Sequence, residues 1–275
     1  MAEHGSEAKL LAGGQSLIPV MNFRLAQPAM LIDLNGLSEL DFVRPTEDGG
    51  LRVGAMTRIS CLEQFGELGR LVPLLAEAIP WVAHPQIRNR STLGGTLSHA
   101  DPAAEIPAVT LAVDARFRLA RQGGDRWVEA REFFRGLFET ALDPEEILVE
   151  VELPAPSANT GTSFQEIARR HGDYALAGVA ASLELNASGV IERGRLVYLS
   201  VGDMPVEAVA GAAMLVGQAP TTELFTAVGA HVAAEEIDPA GTIHATPDFT
   251  RHLVQVLTRR VLSEAAARAA AGGTA

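Results

Sequence analysis

Two glycine pairs beside hydroxyl residues carry the strongest chemical signal in the sequence. The first lies in AGGQSL (12–17) and the second in STLGGT (91–96). Glycine lets main-chain N–H groups converge on an anionic oxygen without a Cβ in the way, and Ser or Thr adds a hydroxyl donor. We call residues 12–17 the first elbow and residues 91–96 the second elbow. Two such elbows could hold a pyrophosphate from opposite sides. Either pair alone is more often just a tight turn, so spacing by itself indicates only a possible phosphate site.

Composition excludes several classes of protein. Neither glycine pair fits GxGxxG, which argues against a Rossmann domain. Cys61 is the only cysteine, so the chain cannot ligate an iron–sulfur cluster alone. Lys9 is the only lysine, and it does not stand in a GxxxxGK[ST] motif. The chain therefore has no P-loop and no plausible lysine for a Schiff base. A net charge of -12 argues against nucleic acid as a partner. With no membrane-length apolar run and no signal peptide, we expect a cytoplasmic location.

The elements around the glycine pairs interleave strands and helices. The expected elements are the end of a helix feeding a short strand (2–11), a strand (29–37), a strand and helix (51–65), a helix (69–83), a helix and strand (105–120) and two further strands (125–134 and 145–154). The helix within 51–65 is expected to be capped near Thr57 or Ser60, and Cys61 at its start to be a small buried residue.

The pattern changes after a segment rich in small and polar residues, 155–163, which is typical of a linker. Strands over 175–185 and 194–202 flank the turn NASG, which predicts a hairpin. Three amphipathic helices follow, near 206–216, 221–235 and 247–270. The sequence therefore predicts an α+β fold of two domains, the second an antiparallel sheet backed by three helices.

Three segments, in this order, carry a resemblance to a known family. They are AGGQSLIPVMNFRLAQPAMLIDLN (12–35), HPQIRNRSTLGGTLSHADPAAEIPA (84–108) and FQEIARRHGDYALAGVA (164–180). Together they resemble the FAD-binding medium subunit of the molybdenum hydroxylases, the flavoprotein chain of the carbon monoxide dehydrogenase and xanthine dehydrogenase family. The resemblance covers essentially the whole chain. It implies a two-subdomain FAD-binding domain of the PCMH type over 1–155, without the family's first strand and helix, and a C-terminal flavoprotein domain over 162–275.

The resemblance also implies which residues bind the cofactor. The first flavin loop, whose backbone amides hold the pyrophosphate, corresponds to Ala12, Gly13, Gly14, Gln15, Ser16 and Leu17. The second corresponds to Thr92, Gly94, Gly95 and Thr96, with Thr96 where the family commonly has Asn. Val82 and Ile87 match apolar positions that border the flavin.

Further side chains are assigned to the rest of the cofactor. Asp101 and Glu105 fall where the family places a carboxylate for hydroxyl groups on the adenosine side, and Glu105 fits better; Asp101 could instead cap a helix. Tyr174 is expected near the isoalloxazine ring, or else at the start of a buried strand. Asp173 would contact a flavin edge or pair with a neighbouring arginine. Arg88 would orient the loop before the second elbow.

One departure from the family concerns the segment after Phe164. Many relatives have a lysine there, whereas this chain has Gln165 and Glu166. No catalytic base and no metal site are expected: His84, His99 and His171 are interpreted as polar loop residues.

The resemblance implies an FAD-carrying electron-transfer subunit. In the family, a large subunit holds molybdopterin, a small subunit holds 2Fe–2S clusters, and electrons pass from the clusters to FAD and on to an external acceptor. The expected assembly is a dimer of heterotrimers. The alternatives are a flavin-free scaffold of the same fold and a self-contained FAD oxidase.

Overall fold

Each half of the chain is organised by an antiparallel sheet, as the computed structural model shows for residues 5–272. The strands are β1 Ala8–Leu11, β2 Met30–Asp33, β3 Val43–Pro45, β4 Leu51–Gly54, β5 Arg116–Arg121, β6 Gly124–Glu129, β7 Phe134–Gly136, β8 Glu139–Thr140, β9 Ile147–Leu153, β10 Thr160–Ala168, β11 Ala175–Leu185, β12 Ile191–Leu199 and β13 Val206–Glu207. The α-helices are α1 Leu17–Asn22, α2 Ile59–Glu63, α3 Leu68–Leu71, α4 Pro73–Ala78, α5 Pro85–Arg88, α6 Leu93–His99, α7 Glu105–Ala112, α8 Ala130–Phe133, α9 Val209–Leu215, α10 Thr222–Glu235 and α11 Pro247–Ala270.

The first half combines a small parallel pair with a larger sheet. Strands β1 and β2 are parallel and are joined through α1. Strands β3, β4, β9, β5 and β6 follow in that spatial order, so the chain returns to insert β9 between β4 and β5. Helices α2 to α7 all come between β4 and β5 in the chain. The two glycine pairs thus belong to different layers, one after β1 and one in α6.

The sheet of the second half is buried on both faces. Strands β10 to β13 lie in chain order. Phe164, Ala180, Val197 and Leu199 point to one face and join the core of the first half. Val179 and the other residues of the opposite face share a second core with the last three helices, of which α11 packs directly on β10 and β11. Because paired residues on neighbouring strands face the same side, this sheet is the wall shared by both halves. The α+β class and the antiparallel sheet with three helices are confirmed.

Helix α7 lies at the centre of the molecule. All eight of its residues are buried, which suits a helix that is apolar nearly all round. It packs against α4 and α6 of the first half and against β11 and β12 of the second. Its first residue, Glu105, is therefore held at the seam between the halves.

Two helix predictions need correction. The helix expected over 69–83 is broken into α3, α4 and a 3-10 turn, because Pro73 begins α4 and forces Val72 out of the helical region. Neither Thr57 nor Ser60 caps α2, whose N-cap is Arg58. The Thr57 hydroxyl instead donates to the Phe42 carbonyl at 2.9 Å and accepts from its N–H at 3.1 Å.

Three smaller predictions also change. Cys61 is exposed rather than buried, since Ile59 and Leu62 take the inward face of the short α2. The linker is shorter than 155–163, because β10 already begins at Thr160. The helix end expected before β1 is a 3-10 turn over Gly5–Glu7, and residues 1–4 lie outside the described chain. None of the helices within residues 5–272 is long and apolar enough to cross a membrane.

Candidate cofactor site

The two glycine pairs lie against each other in the folded chain. A Cβ added at Gly95 would come within 3.3 Å of the Ala12 Cβ. A Cβ added at Gly13 would collide with the Arg90 carbonyl oxygen and lie 2.8 Å from the Ser91 Cα. The backbone before the second pair therefore requires glycine at position 13, and the Thr92 hydroxyl, 2.7 Å from an added Cβ, requires it at position 95.

The first elbow offers free main-chain donors. Gly14 adopts a φ of 76°, which turns the chain before α1 begins with the Ile18 N–H donating to the Gly14 carbonyl. Within residues 5–272, four consecutive N–H groups find no acceptor: those of Gly13, Gly14, Gln15 and Ser16. Successive unpaired N–H groups around a left-handed glycine form an anion-binding nest.

The second elbow uses its donors internally. The Leu93 N–H donates to the Thr57 carbonyl at 3.0 Å, and the Gly94 N–H donates to the Ala55 carbonyl at 2.8 Å. The Gly95 N–H donates to the Thr92 hydroxyl at 3.1 Å, which caps α6. The sequence suggested backbone donors from both elbows. Among residues 5–272 the N–H groups of the first elbow have no acceptor, whereas those of Leu93, Gly94 and Gly95 are already paired. The second elbow supplies a close surface and the hydroxyl of Thr96.

A side-chain network that the sequence did not reveal fixes the elbows. Asn35 follows β2 and donates from Nδ2 to the Ala12 carbonyl at 3.0 Å. Arg58 donates to the Asn35 side-chain oxygen and to the Arg90 carbonyl. One guanidinium therefore ties the loop of the first elbow to the loop that precedes the second. In the sequence, Asn35-Gly36 after β2 indicated only a turn, and nothing indicated that Arg58 would contact either elbow.

A cavity of about 760 Å³ opens in front of the elbows. Its volume is that of an ordinary cofactor site. The lining residues that carry chemistry are the first elbow with Leu17 and, from the second, Thr92, Gly94, Gly95 and Thr96. Apolar residues such as Leu10, Val20 and Leu34 form further walls. Lys9 is the cation among the described lining residues, so an anion here would be held mainly by neutral donors.

The far wall of the cavity is another part that the sequence did not predict. The rings of His99 and Phe138 contact each other at a tilt, with 4.9 Å between their centroids. Burial lowers the pKa of His99, against the opposing effect of Asp101, which favours the neutral imidazole. Glu146 at the approach to β9 is buried and receives two hydrogen bonds from Arg126, at 2.7 and 2.8 Å, which lower its pKa.

The remaining predicted residues do not line this cavity. These are Val82, Ile87, Asp101, Glu105, Asp173 and Tyr174. Glu105 begins α7 at the seam between the two halves, and Asp101 and Tyr174 are its electrostatic neighbours. There the loops of residues 81–84 and 171–174 pack together: Trp81 stacks on His171 at 5.6 Å, and Gly172 fits against the His84 ring. The site is therefore divided into an elbow cavity and a seam region.

Arg88 and Tyr174 have clear places in the seam region. Arg88 is buried, forms two 2.8 Å hydrogen bonds with Glu63 and donates to the Val82 carbonyl at 3.0 Å, which is the loop-orienting position expected for it. Tyr174 precedes β11 and is 71% exposed, so the alternative of a tyrosine starting a buried strand is wrong. Its open ring can meet a ligand or a partner.

The acidic residues of the seam differ in environment. Asp101 accepts from the Ala103 N–H at 2.9 Å in a turn, and Ala104 is the N-cap of α7, so the helix-cap alternative for Asp101 is wrong. Glu105 is 7% exposed; burial raises its pKa to about 7, and Asp101 adds to the shift. Asp173 pairs with Arg169 at 3.4 Å.

Two family descriptions match the chain in succession. Residues 1–156 match the FAD binding domain in molybdopterin dehydrogenase, and residues 162–265 match the CO dehydrogenase flavoprotein C-terminal domain. Each half of the chain therefore matches a domain of the same flavoprotein family.

Individual relatives span nearly the full length. The chain is 36% identical to the 6-hydroxypseudooxynicotine dehydrogenase complex subunit alpha of Paenarthrobacter nicotinovorans, over 98% of this chain and 90% of that protein. It is also 36% identical to the carbon monoxide dehydrogenase medium chain of Hydrogenophaga pseudoflava, over 98% and 93%. A solved structure of carbon monoxide dehydrogenase from that organism superposes with a TM-score of 0.93 at 37% identity, covering 97% of this chain and 92% of the other.

Proposed function

We propose that this chain, which belongs to the FAD-binding subunits of the molybdenum hydroxylases, receives electrons from a partner subunit's iron–sulfur clusters and passes them to an external acceptor. Membership makes it a subunit of an FAD-dependent oxidoreductase. FAD suits this position because it can take electrons singly and pass on one or two. The chain's own residues then bind and orient the cofactor, and none is required as an acid or base.

The observation that carries the proposal is the unpaired N–H row of the first elbow. The four residues whose N–H groups have no acceptor among the described residues line a cavity that the second elbow also lines. Gly13 is buried and Gly14, Gln15 and Ser16 are half-buried, so these donors converge at a partly enclosed surface where a bound anion is a natural partner. We assign the FAD pyrophosphate to this nest, with the Thr96 hydroxyl as a further donor.

The seam region would hold the rest of the cofactor. Glu105 is assigned to ribose hydroxyl groups, and Val82 and Ile87 to apolar contacts beside the flavin. Tyr174, with its open ring, is assigned to the isoalloxazine face, and Asp173 to the flavin edge.

The partners follow from the division of cofactors. A chain with a single cysteine cannot hold a 2Fe–2S cluster, so we assign the clusters to a small subunit and molybdopterin to a large one. We propose a dimer of such heterotrimers in the cytoplasm, with domain limits at 1–155 and 162–275 in this chain. The unpaired N–H row disfavours a flavin-free scaffold.

Purification of the holoenzyme tests the proposal. We expect the chain to co-purify with subunits that contain molybdenum and iron, and its flavin absorbance to bleach when the holoenzyme receives its substrate without an acceptor. The isolated chain should not bleach under the same conditions. Bleaching of the isolated chain by a substrate would identify a self-contained FAD oxidase instead.

A further inference from the structure

The turn between β7 and β8 holds Phe138 in a backbone conformation that phenylalanine seldom adopts. Gly136 pairs with Glu139 across the two strands, so Leu137 and Phe138 form the turn between them. Phe138 has a φ of 56°, which is in the left-handed region. The turn position with a positive φ is usually held by Gly or Asn, because a Cβ there crowds the neighbouring carbonyl. The sequence therefore keeps a phenylalanine at a position where glycine would be less strained.

Packing in the core does not account for this side chain. Phe133 and Phe134, a few residues earlier, are buried and contact each other edge to face, with 5.2 Å between their ring centroids. Phe138 is outside that core and is 52% exposed. Leu137 is exposed to a similar degree, yet the described lining residues of the elbow cavity include Phe138 and not Leu137. The strained residue is thus the one that faces the cavity.

Phe138 meets His99 at the wall of this cavity. Their ring centroids are 4.9 Å apart, and the ring planes are tilted by 32°. His99 is the last residue of α6, and Gly95 of the second elbow lies four residues earlier on the same face of that helix. Four residues of helix rise about 6 Å. One helix therefore carries the second elbow and, one turn further on, half of the aromatic pair, and both line the cavity.

The space in front of the pair suits a flat, uncharged ring. A pyrophosphate at the elbows would fill only part of the cavity of about 760 Å³, whose wall also includes the apolar Leu142 and Leu148. Burial lowers the pKa of His99, which favours the neutral imidazole, so the pair presents an uncharged surface. Aromatic rings stack on one another with an offset or a tilt. In FAD, a ribose or ribityl chain separates each ring from the phosphates, and such a chain can span one helical turn.

We propose that Phe138 and His99 form a stacking platform for one of the two flat rings of FAD, while the elbows hold its pyrophosphate. The ring packs on the open face of Phe138, and His99 supports Phe138 at the cavity wall. The strained turn is retained because glycine at position 138 would relieve the strain but remove the platform. The inference rests on the proposed FAD site and adds Phe138 to the residues that bind the cofactor.

Phe138→Gly separates the platform from the fold. Glycine accepts a positive φ without strain, so F138G should be at least as stable to denaturant as the wild type. Its Kd for FAD, followed by flavin fluorescence, should nevertheless rise about tenfold, because the stacked ring loses its partner. F138N also accepts this backbone and should weaken binding equally, whereas F138Y keeps the ring and should bind within about twofold of the wild type. L137A, in the same turn, is the control and should bind as the wild type does.

Titrations with ADP and with FMN show which ring occupies the platform. ADP carries the adenine ring with two phosphates, and FMN carries the flavin ring with one. F138G should weaken the binding of one of them about tenfold and leave the other within about twofold of the wild type. Weaker binding of ADP would assign the platform to adenine, and weaker binding of FMN would assign it to the flavin ring.

The FAD titration decides on the platform itself. Equal FAD affinities of F138G and the wild type, or an equal loss of affinity in L137A, would overturn the inference and leave the proposed function standing. ADP and FMN weakened alike would show a general disturbance of the cavity and would also overturn it. A wild-type chain that takes up no FAD would overturn the inference and the proposed function together.

Discussion

The two glycine pairs look alike in the sequence but have different roles in the structure. Among residues 5–272, the main-chain N–H groups of the first pair have no acceptor, and the chain turns through the left-handed Gly14. The N–H groups of the second elbow donate to Thr57, Ala55 and Thr92. Its glycines are required because atoms of Ala55 and Thr92 approach them closely. We therefore assign binding to the first glycine pair and packing to the second. The same dipeptide carries either role, depending on what its N–H groups meet.

Gly94→Ala should separate the two roles most sharply. Its Cβ would lie 2.5 Å from the Ala55 Cβ and 2.8 Å from the Ala55 carbonyl oxygen, in a buried layer that cannot give way. We expect a loss of about 3–4 kcal/mol in the free energy of unfolding without FAD, measured by denaturant titration. Gly124→Ala, which meets no atom within 4 Å, is the control and should change stability by less than about 0.5 kcal/mol. Equal stabilities of the two variants would contradict the packing role.

Glu166 provides a contrast with both elbows, because its contribution depends on pH. Burial raises the pKa of Glu166 from its ordinary value of 4.5 to about 8, so the folded state binds the extra proton between these values. The stability from this group is complete below about pH 4.5 and is lost as pH rises through about 8. Relative to E166Q, the wild type should lose about 3 kcal/mol between about pH 5 and about pH 8. Denaturant titrations of both chains at several pH values would show it, and parallel pH profiles would refute it.

Gly13→Ala should act on binding. Its Cβ would collide with the Arg90 carbonyl and push the loops of the two elbows apart. We expect the Kd for FAD to rise about 100-fold, equivalent to about 2.7 kcal/mol, in a titration followed by flavin fluorescence. Gly36→Ala, with no atom within 4 Å, should bind as the wild type does. Unchanged affinity in Gly13→Ala would remove the first elbow from the site.

Thr92→Val should give the smallest effect. The hydroxyl caps α6 by accepting from the Gly95 N–H, and its loss should cost about 1 kcal/mol of unfolding free energy. Thr92→Ser keeps the acceptor and should recover most of that stability in the same thermal or denaturant measurement. If Ser proved no better than Val, the cap would have no part in holding the second elbow.

Local patterns in the sequence were sufficient for much of the fold. The strand pair around NASG and the helix over 247–270 follow from alternation and helical periodicity, and both are present. The break at Pro73 was missed, although proline at a first helical position is a local signal. Cys61 was misplaced because α2 is too short for its inward face to be identified from flanking apolar residues.

Long-range hydrogen bonding decided the parts of the site that the sequence did not reveal. Arg58 and Asn35 connect loops far apart in the chain, and no local pattern indicates such a link. The engagement of the Gly94 N–H by Ala55 likewise depends on how β4 packs under α6. The glycine pairs themselves were visible because glycine is a local requirement of close approach.

The visible absorption spectrum of this chain purified alone, with the chromophore released by acid and identified, tests the central claim most directly. The account predicts non-covalent FAD, either retained on purification or taken up when added. A colourless chain that also fails to take up added FAD would contradict it.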